Sequence, residues 1–364
     1  SPWDSYTLQA LAWRRGSFGW GQDYPWLELA VYKGDWFVSF PPLPSLVMLP
    51  LTFLFGESTP NNLVVMLYAM ATAALAYACL CRAGSKPQSA VFLSLFYVMG
   101  CNMMWMSTSG GVWFQAQALN MLLLTACLLA AMAKRRAPAY ALAALAVGCR
   151  PFSACVFLPL LAYFYGVDRA AGHSALRSLV RQLPGLLPAA VIGGAYMWYN
   201  WARFGNILEF GHNYLPEFTD AEKGQFHLSY LPENLKNILL RPVTIDGQGR
   251  LSFPYFDGFL FYIANPLYIP LFIRAAGDIR ARRMDGLRRC LLAAILLELL
   301  LLCAHKTFGG WQFGARYTVD MLPMALAYLL LRGPWEPRPY EKGLGLFAIA
   351  LNLYGALAMT LLYQ

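Results

Sequence analysis

The chain has 364 residues, of which 58% are hydrophobic and only 13% charged, with a formal net charge of +9. Soluble domains carry about a quarter charged residues, so composition excludes a water-soluble globule. The basic excess lies in short links between apolar runs, which makes it topology-setting charge rather than a nucleic-acid surface.

The apolar residues gather into stretches approaching the roughly 20 that cross a bilayer. An all-α polytopic membrane protein follows, with the lipid bilayer as its partner and no nucleic acid. Residues 1–60 form a first loop rich in Trp and Tyr, residues that favour the membrane–water interface. Within it, residues 5–15 (SYTLQALAWRR) predict a short interfacial helix. The chain begins SPWDSY without an initiator methionine, so an upstream helix is expected to precede it. After Pro41, Pro42 and Pro44 comes an apolar piece at 43–56, too short for a span and suited to a re-entrant or surface-lying segment.

Residues 61–364 predict a transmembrane bundle of about eight full spans. These are 61–82, 88–106, 115–133, 184–204, 255–274, 288–304, 315–332 and 343–363. The stretch 138–166 is apolar but broken at GCRPF by Arg150 and Pro151. It reads as two half-helices that enter and leave on one side, which is tolerated where they line a cavity. Most of the 28 basic residues fall in the links near 82–86, 134–136, 169–181, 274–289 and 332–342, which should be cytoplasmic. The first loop and the long 205–254 loop then lie on the other side, and the alternation requires that 43–56 does not cross. The long loop carries scattered aromatics and Pro and predicts a partly ordered lid.

The eight cysteines sit in or beside apolar segments without metal-ligand spacing, so they read as small core residues, and no metal site is predicted. No phosphate-binding glycine motif is present, so an activated donor would have to arrive through the membrane. The first loop gathers acids, among them Asp4, Glu28 and Asp35, that could act as general base toward a hydroxyl. A phosphate leaving group needs cations. Arg14, Arg15, Lys33, Arg150, Lys306 and Arg316 are the candidates. Arg316 and Asp320 flank Tyr317 at the start of a span, one helical turn apart; such a pair either locks the helix or serves a site. His305 ends a helix beside Lys306.

The run GDWFVSFPPLPSLVMLPLTFLFG resembles the first-loop signature of polyprenyl-phosphate-sugar glycosyltransferases of the GT-C superfamily, a group that includes protein O-mannosyltransferases and aminoarabinose transferases. The stretches STSGGVWFQAQALNMLLLTACLLA, LAALAVGCRPF, YNWARFGNILEFG and GWQFGARYTVDMLP resemble a bacterial branch of that group. The resemblance implies a GT-C-like helical bundle and an inverting transfer with a first-loop carboxylate as base. The donor would be a polyprenyl-phosphate sugar, with no cofactor, and the acceptor an unidentified hydroxyl. The active site would face the non-cytoplasmic side of the cell (inner) membrane. By resemblance the base falls on Asp4 in PWDSY, or on Glu28 in ELAVYKGDWF. Two alternatives stay open: a transporter or scramblase of lipid-linked sugar, and a catalytically inactive scaffold of the same fold.

Overall fold

The computed structural model describes residues 2–245, 247, 249, 251–256 and 258–361. Helix α1 (Ser5–Arg14) is followed by an antiparallel hairpin of β1 (Leu29–Tyr32) and β2 (Asp35–Val38). The hairpin turns through Lys33 and Gly34, both at positive φ (50° and 81°), as a tight two-residue connection requires. Helix α2 (Leu43–Phe55) then precedes α3 (Asn61–Arg82), α4 (Pro87–Met99), α5 (Met103–Met106), α6 (Val112–Met132) and α7 (Arg136–Val147). Next come α8 (Phe157–Ala170), α9 (Ala175–Val180) and α10 (Leu183–Phe204). The 205–254 loop carries α11 (Pro216–Thr219), α12 (Leu231–Leu240) and a small hairpin of β3 (Thr244–Ile245) and β4 (Leu251–Ser252). The chain closes with α13 (Phe261–Ala264), α14 (Tyr268–Arg280), α15 (Gly286–Cys303), α16 (Leu322–Leu330) and α17 (Pro339–Leu361).

This is a helical membrane protein. By length and composition, Asn61–Arg82, Val112–Met132, Pro151–Ala170 and Pro339–Leu361 can each cross a bilayer. Large apolar side chains stand exposed along the helices, among them Phe53, Leu54, Met70, Val191 and Leu346. Such a surface suits lipid rather than water.

Three predicted spans are not continuous helices. The 88–106 stretch ends as α4 at Met99 and restarts as α5. The intervening turn puts Asn102 into a buried polar knot, its Nδ2 donating to Asn352 Oδ1 (3.1 Å) and its Oδ1 accepting from Asn265 Nδ2 (3.1 Å). The 255–274 stretch runs non-helically to Leu260 and is interrupted again between α13 and α14. There Pro266 lacks a backbone donor, and Asn265 bonds sideways to Thr318 Oγ1 (2.8 Å). The 315–332 stretch starts as a 3-10 turn, Arg316–Met321, before α16. The last predicted span forms as α17; its final residues, 362 and 363, lie outside the described residues.

The broken stretch near 138–166 is a hairpin. Helix α7 ends at Gly148, a 3-10 segment (Pro151–Val156) follows, and α8 runs back. Arg136, at the head of α7, meets Asp168, near the foot of α8, at 2.7 Å, so both arms return to the end that carries the basic links. Acids in those links are paired as well: Asp278 with Arg332 (2.6 Å) and Glu341 with Arg274 (3.1 Å). The hairpin tip points the other way, and the Leu43 N–H donates to the Gly148 carbonyl (3.0 Å). Helix α2 therefore begins on the tip. Its 13 residues reach about 20 Å, against the roughly 30 Å of a bilayer core. Tyr6 packs on Phe40 (6.4 Å between rings), and Arg14 Nη1 donates to the Thr52 carbonyl (2.6 Å). Thus α1 lies alongside α2 and runs parallel to it.

Candidate active site

A cavity of about 290 Å³ opens where the first loop, the hairpin tip and the 205–254 loop converge. Phe40 and Pro41 enter from the first loop, Arg150 and Phe152 from the tip, and Trp113 from the start of α6. Glu209, His212, Asn213 and Gln225 come from the 205–254 loop, His305 from beyond α15, and Tyr317 and Asp320 from the 3-10 turn.

An ion pair forms the floor. Arg150 Nε donates to Asp320 Oδ2 at 2.9 Å, with the Asp320 side chain 1% exposed and that of Arg150 19%. Asp320 Oδ1 accepts from Gln117 Nε2 and Asn120 Nδ2, each at 3.3 Å. The Arg150 guanidinium also lies over the Tyr317 ring (4.6 Å). Arg316 and Asp320 are not partners, which corrects the one-turn pairing expected from their spacing. The segment is a 3-10 turn with three residues per turn, so positions i and i+4 do not align. Arg316 instead donates to the Gly309 carbonyl (2.9 Å) and to Gln117 Oε1 (2.7 Å), and Gln117 bridges the two charges.

Glu28 sits at the surface beside the cavity, and its Oε2 accepts from Trp113 Nε1 (2.9 Å). Desolvation by the surrounding protein pushes its carboxyl above the usual carboxylate range, and the Trp113 bond offsets part of that. Asp4 caps α1 without a side-chain capping bond. Partial burial also raises its carboxyl, offset by a backbone hydrogen bond. Its neighbour Trp3 accepts from the Val112 N–H (3.0 Å), which ties the start of the chain to the start of α6. Asp4 itself does not line the cavity.

The remaining candidate cations stand apart from the cavity lining. Arg14 lies over Phe53 (4.2 Å) and bonds α2; Arg15 is exposed. Lys33 occupies the hairpin turn over Tyr32 (5.2 Å). Lys306 Nζ donates to the Glu217 carbonyl (2.8 Å). His305 does line the cavity, its Nε2 3.0 Å from Gln225 Nε2. Burial, with His212 nearby, pushes it down to about 3, so it stays neutral.

Several residues that the sequence did not single out belong to this region. Gln117 and Asn120 hold Asp320. Glu209, His212 and Gln225 form the wall, and all but Gln225 flank or lie within the end of the YNWARFGNILEFG stretch. Glu298 is fully buried in α15, one turn below the cavity-lining Leu302, and neither of its oxygens has a hydrogen-bond partner among the described residues. A single acid inside the apolar run ILLELLLL was the available signal for it.

The fold, with its hairpin tip, first-loop helices and loop-covered cavity, is similar over nearly the whole chain to solved structures of two other proteins. The crystal structure of ArnT from Cupriavidus metallidurans bound to undecaprenyl phosphate is similar over 99% of this chain and 60% of that one, at 14% identity and TM-score 0.55. The apo structure of the same ArnT gives 15% identity and TM-score 0.54. The apo Archaeoglobus fulgidus oligosaccharyltransferase gives 14% identity and TM-score 0.51, over 98% of this chain and 51% of that one. The chain thus spans about 60% of the length of the ArnT structures it matches. Neither a family model nor a curated protein matches the sequence.

Proposed function

We infer that this protein is a membrane glycosyltransferase. It moves a sugar from a polyprenyl-phosphate donor to a hydroxyl acceptor on the non-cytoplasmic face of the cell (inner) membrane. One observation carries the reading: a cavity under the first loop with the Arg150 guanidinium in its floor and, at its edge, the Glu28 carboxylate bonded to the cavity-lining Trp113. Undecaprenyl phosphate bound to ArnT, which shares the fold, supports a lipid phosphate as the leaving group.

In this reading Glu28 is the base, with Asp4 the second candidate. It takes the proton of the acceptor hydroxyl as that oxygen attacks the anomeric carbon. The bond from the anomeric carbon to the phosphate oxygen breaks, the electron pair leaves with the lipid phosphate, and the configuration inverts. Arg150 stabilises the phosphate charge, and Asp320 with Tyr317 holds its guanidinium in place. The basic links on the far side of the bundle support a cavity that faces away from the cytoplasm.

The test is sugar transfer by purified protein in liposomes loaded with a polyprenyl-phosphate sugar. Loss of a general base removes about 10²–10⁴-fold in rate. Glu28→Gln should therefore cost at least a hundredfold in kcat, and Asp4→Asn less. Full turnover by the double variant would remove this assignment. Passage of intact donor between leaflets without transfer would replace it with a transporter.

A further inference from the structure

A transferase of this kind must hold a sugar in the cavity, and the wall supplied by the 205–254 loop has a chemistry that selects one. A sugar-binding role for that wall rests on the glycosyltransferase reading. His212 Nδ1 lies 2.6 Å from the Ser39 carbonyl oxygen. A carbonyl can only accept, so Nδ1 carries the proton, and in the neutral ring Nε2 keeps its lone pair. Burial lowers the proton affinity of this imidazole, which holds it neutral. The ring is fixed edge-on to Phe40 (5.0 Å) and stacked on Phe218 (5.8 Å, 23°). Next to it, the buried Glu209 carboxylate accepts from the Gly211 N–H and from Asn213 Nδ2, each at 2.6 Å. Phe152 and Phe226, their rings 5.6 Å apart, line the same cavity and offer apolar faces for the C–H side of a pyranose or furanose.

The wall therefore presents fixed acceptors and one fixed negative charge. We propose that it is the sugar subsite and that it discriminates against acidic sugars. One sugar hydroxyl donates to His212 Nε2, and Glu209 rejects donors whose sugar bears a carboxylate. Like charges brought together in a partly desolvated cavity repel strongly, so the rejection is electrostatic rather than steric.

The experiment uses three synthetic polyprenyl-phosphate donors that differ only in the sugar: a neutral hexose, its uronic acid and its amino sugar. Binding is read by thermal shift of the purified protein, and transfer by kcat/KM. The wild type should bind and use the neutral donor at least tenfold better than the uronic acid. His212→Asn keeps a donor for Ser39 but has no acceptor at the Nε2 position, and should lose at least tenfold in kcat/KM. His212→Gln restores an acceptor there and should lose less. Glu209→Gln should narrow the gap between neutral and uronic donors. Equal use of both donors overturns the proposal, as does His212→Asn matching the wild type or the Gln variant faring no better than the Asn variant. Tighter binding of the uronic acid than of the amino sugar also overturns it, because Glu209 attracts an ammonium and repels a carboxylate. Selective binding of the neutral donor without any transfer leaves the subsite standing and removes the transferase reading instead.

Discussion

Asp320 is 1% exposed and its partner Arg150 only 19% exposed, so neither ion is solvated well by water. Removing one partner of such a pair leaves the other buried and uncompensated, which costs about 3–5 kcal/mol. Asp320→Ala should therefore lower thermal stability in detergent sharply. A double-mutant cycle should give Arg150–Asp320 a coupling larger by more than about 1 kcal/mol than Arg316–Asp320; equal couplings would contradict the pairing. Glu28 carries a pH prediction. Its carboxyl must be ionised to act as base, and desolvation raises it. Activity should then fall on acidification at a pH above the ordinary glutamate value of about 4.3. The residual activity of Glu28→Gln should lack that acid limb. The spacing of Arg316 and Asp320 pointed to a pair because it assumed an α-helix; the 3-10 turn broke that assumption.

The first-loop hairpin and the 199–214 stretch hold each other at the level of the elements. Arg203, buried at the end of α10, donates to the Val38 carbonyl (2.8 Å) and the Phe210 carbonyl (3.3 Å). Gly211 has φ 108°, and a Cβ there would lie 3.0 Å from Phe204 Cζ and 3.2 Å from Ser39 Cα. Backbone strain of this kind costs about 1–3 kcal/mol. Gly211→Ala should lower the melting temperature and, because Glu209 bonds the Gly211 N–H, also reduce transfer. Unchanged melting and transfer would mean that the wall tolerates a side chain. The helix break at 148–151 was legible, because Gly, Arg and Pro in an apolar run all oppose a continuous span. The breaks near Gly100 and Asn265 were not. Each depends on the Asn102–Asn265–Asn352 knot, whose members come from three distant parts of the chain.

For the whole molecule, the basic links collect at one end and the cavity at the other. This leads to a topology test with single added cysteines and a membrane-impermeant thiol reagent, read against the wild-type background. Asp23→Cys, Glu57→Cys and Thr219→Cys should label from the non-cytoplasmic side, and Ala171→Cys should not. Labelling of position 57 from the cytoplasmic side alone would mean that α2 crosses.

Composition and residue order alone determined that the chain is a helical membrane protein, where its basic links lie and where the broken hairpin turns, because hydrophobic length and local breakers act within a few residues. The partners of its charges were decided only by the tertiary structure. Asp320 takes an arginine 170 positions away rather than one four positions away, and His212 reaches back 173 positions to Ser39. Inside a low-dielectric protein an ion or a polar ring is satisfied by whatever group the packed fold brings within hydrogen-bonding distance, and no periodicity along the chain records that choice.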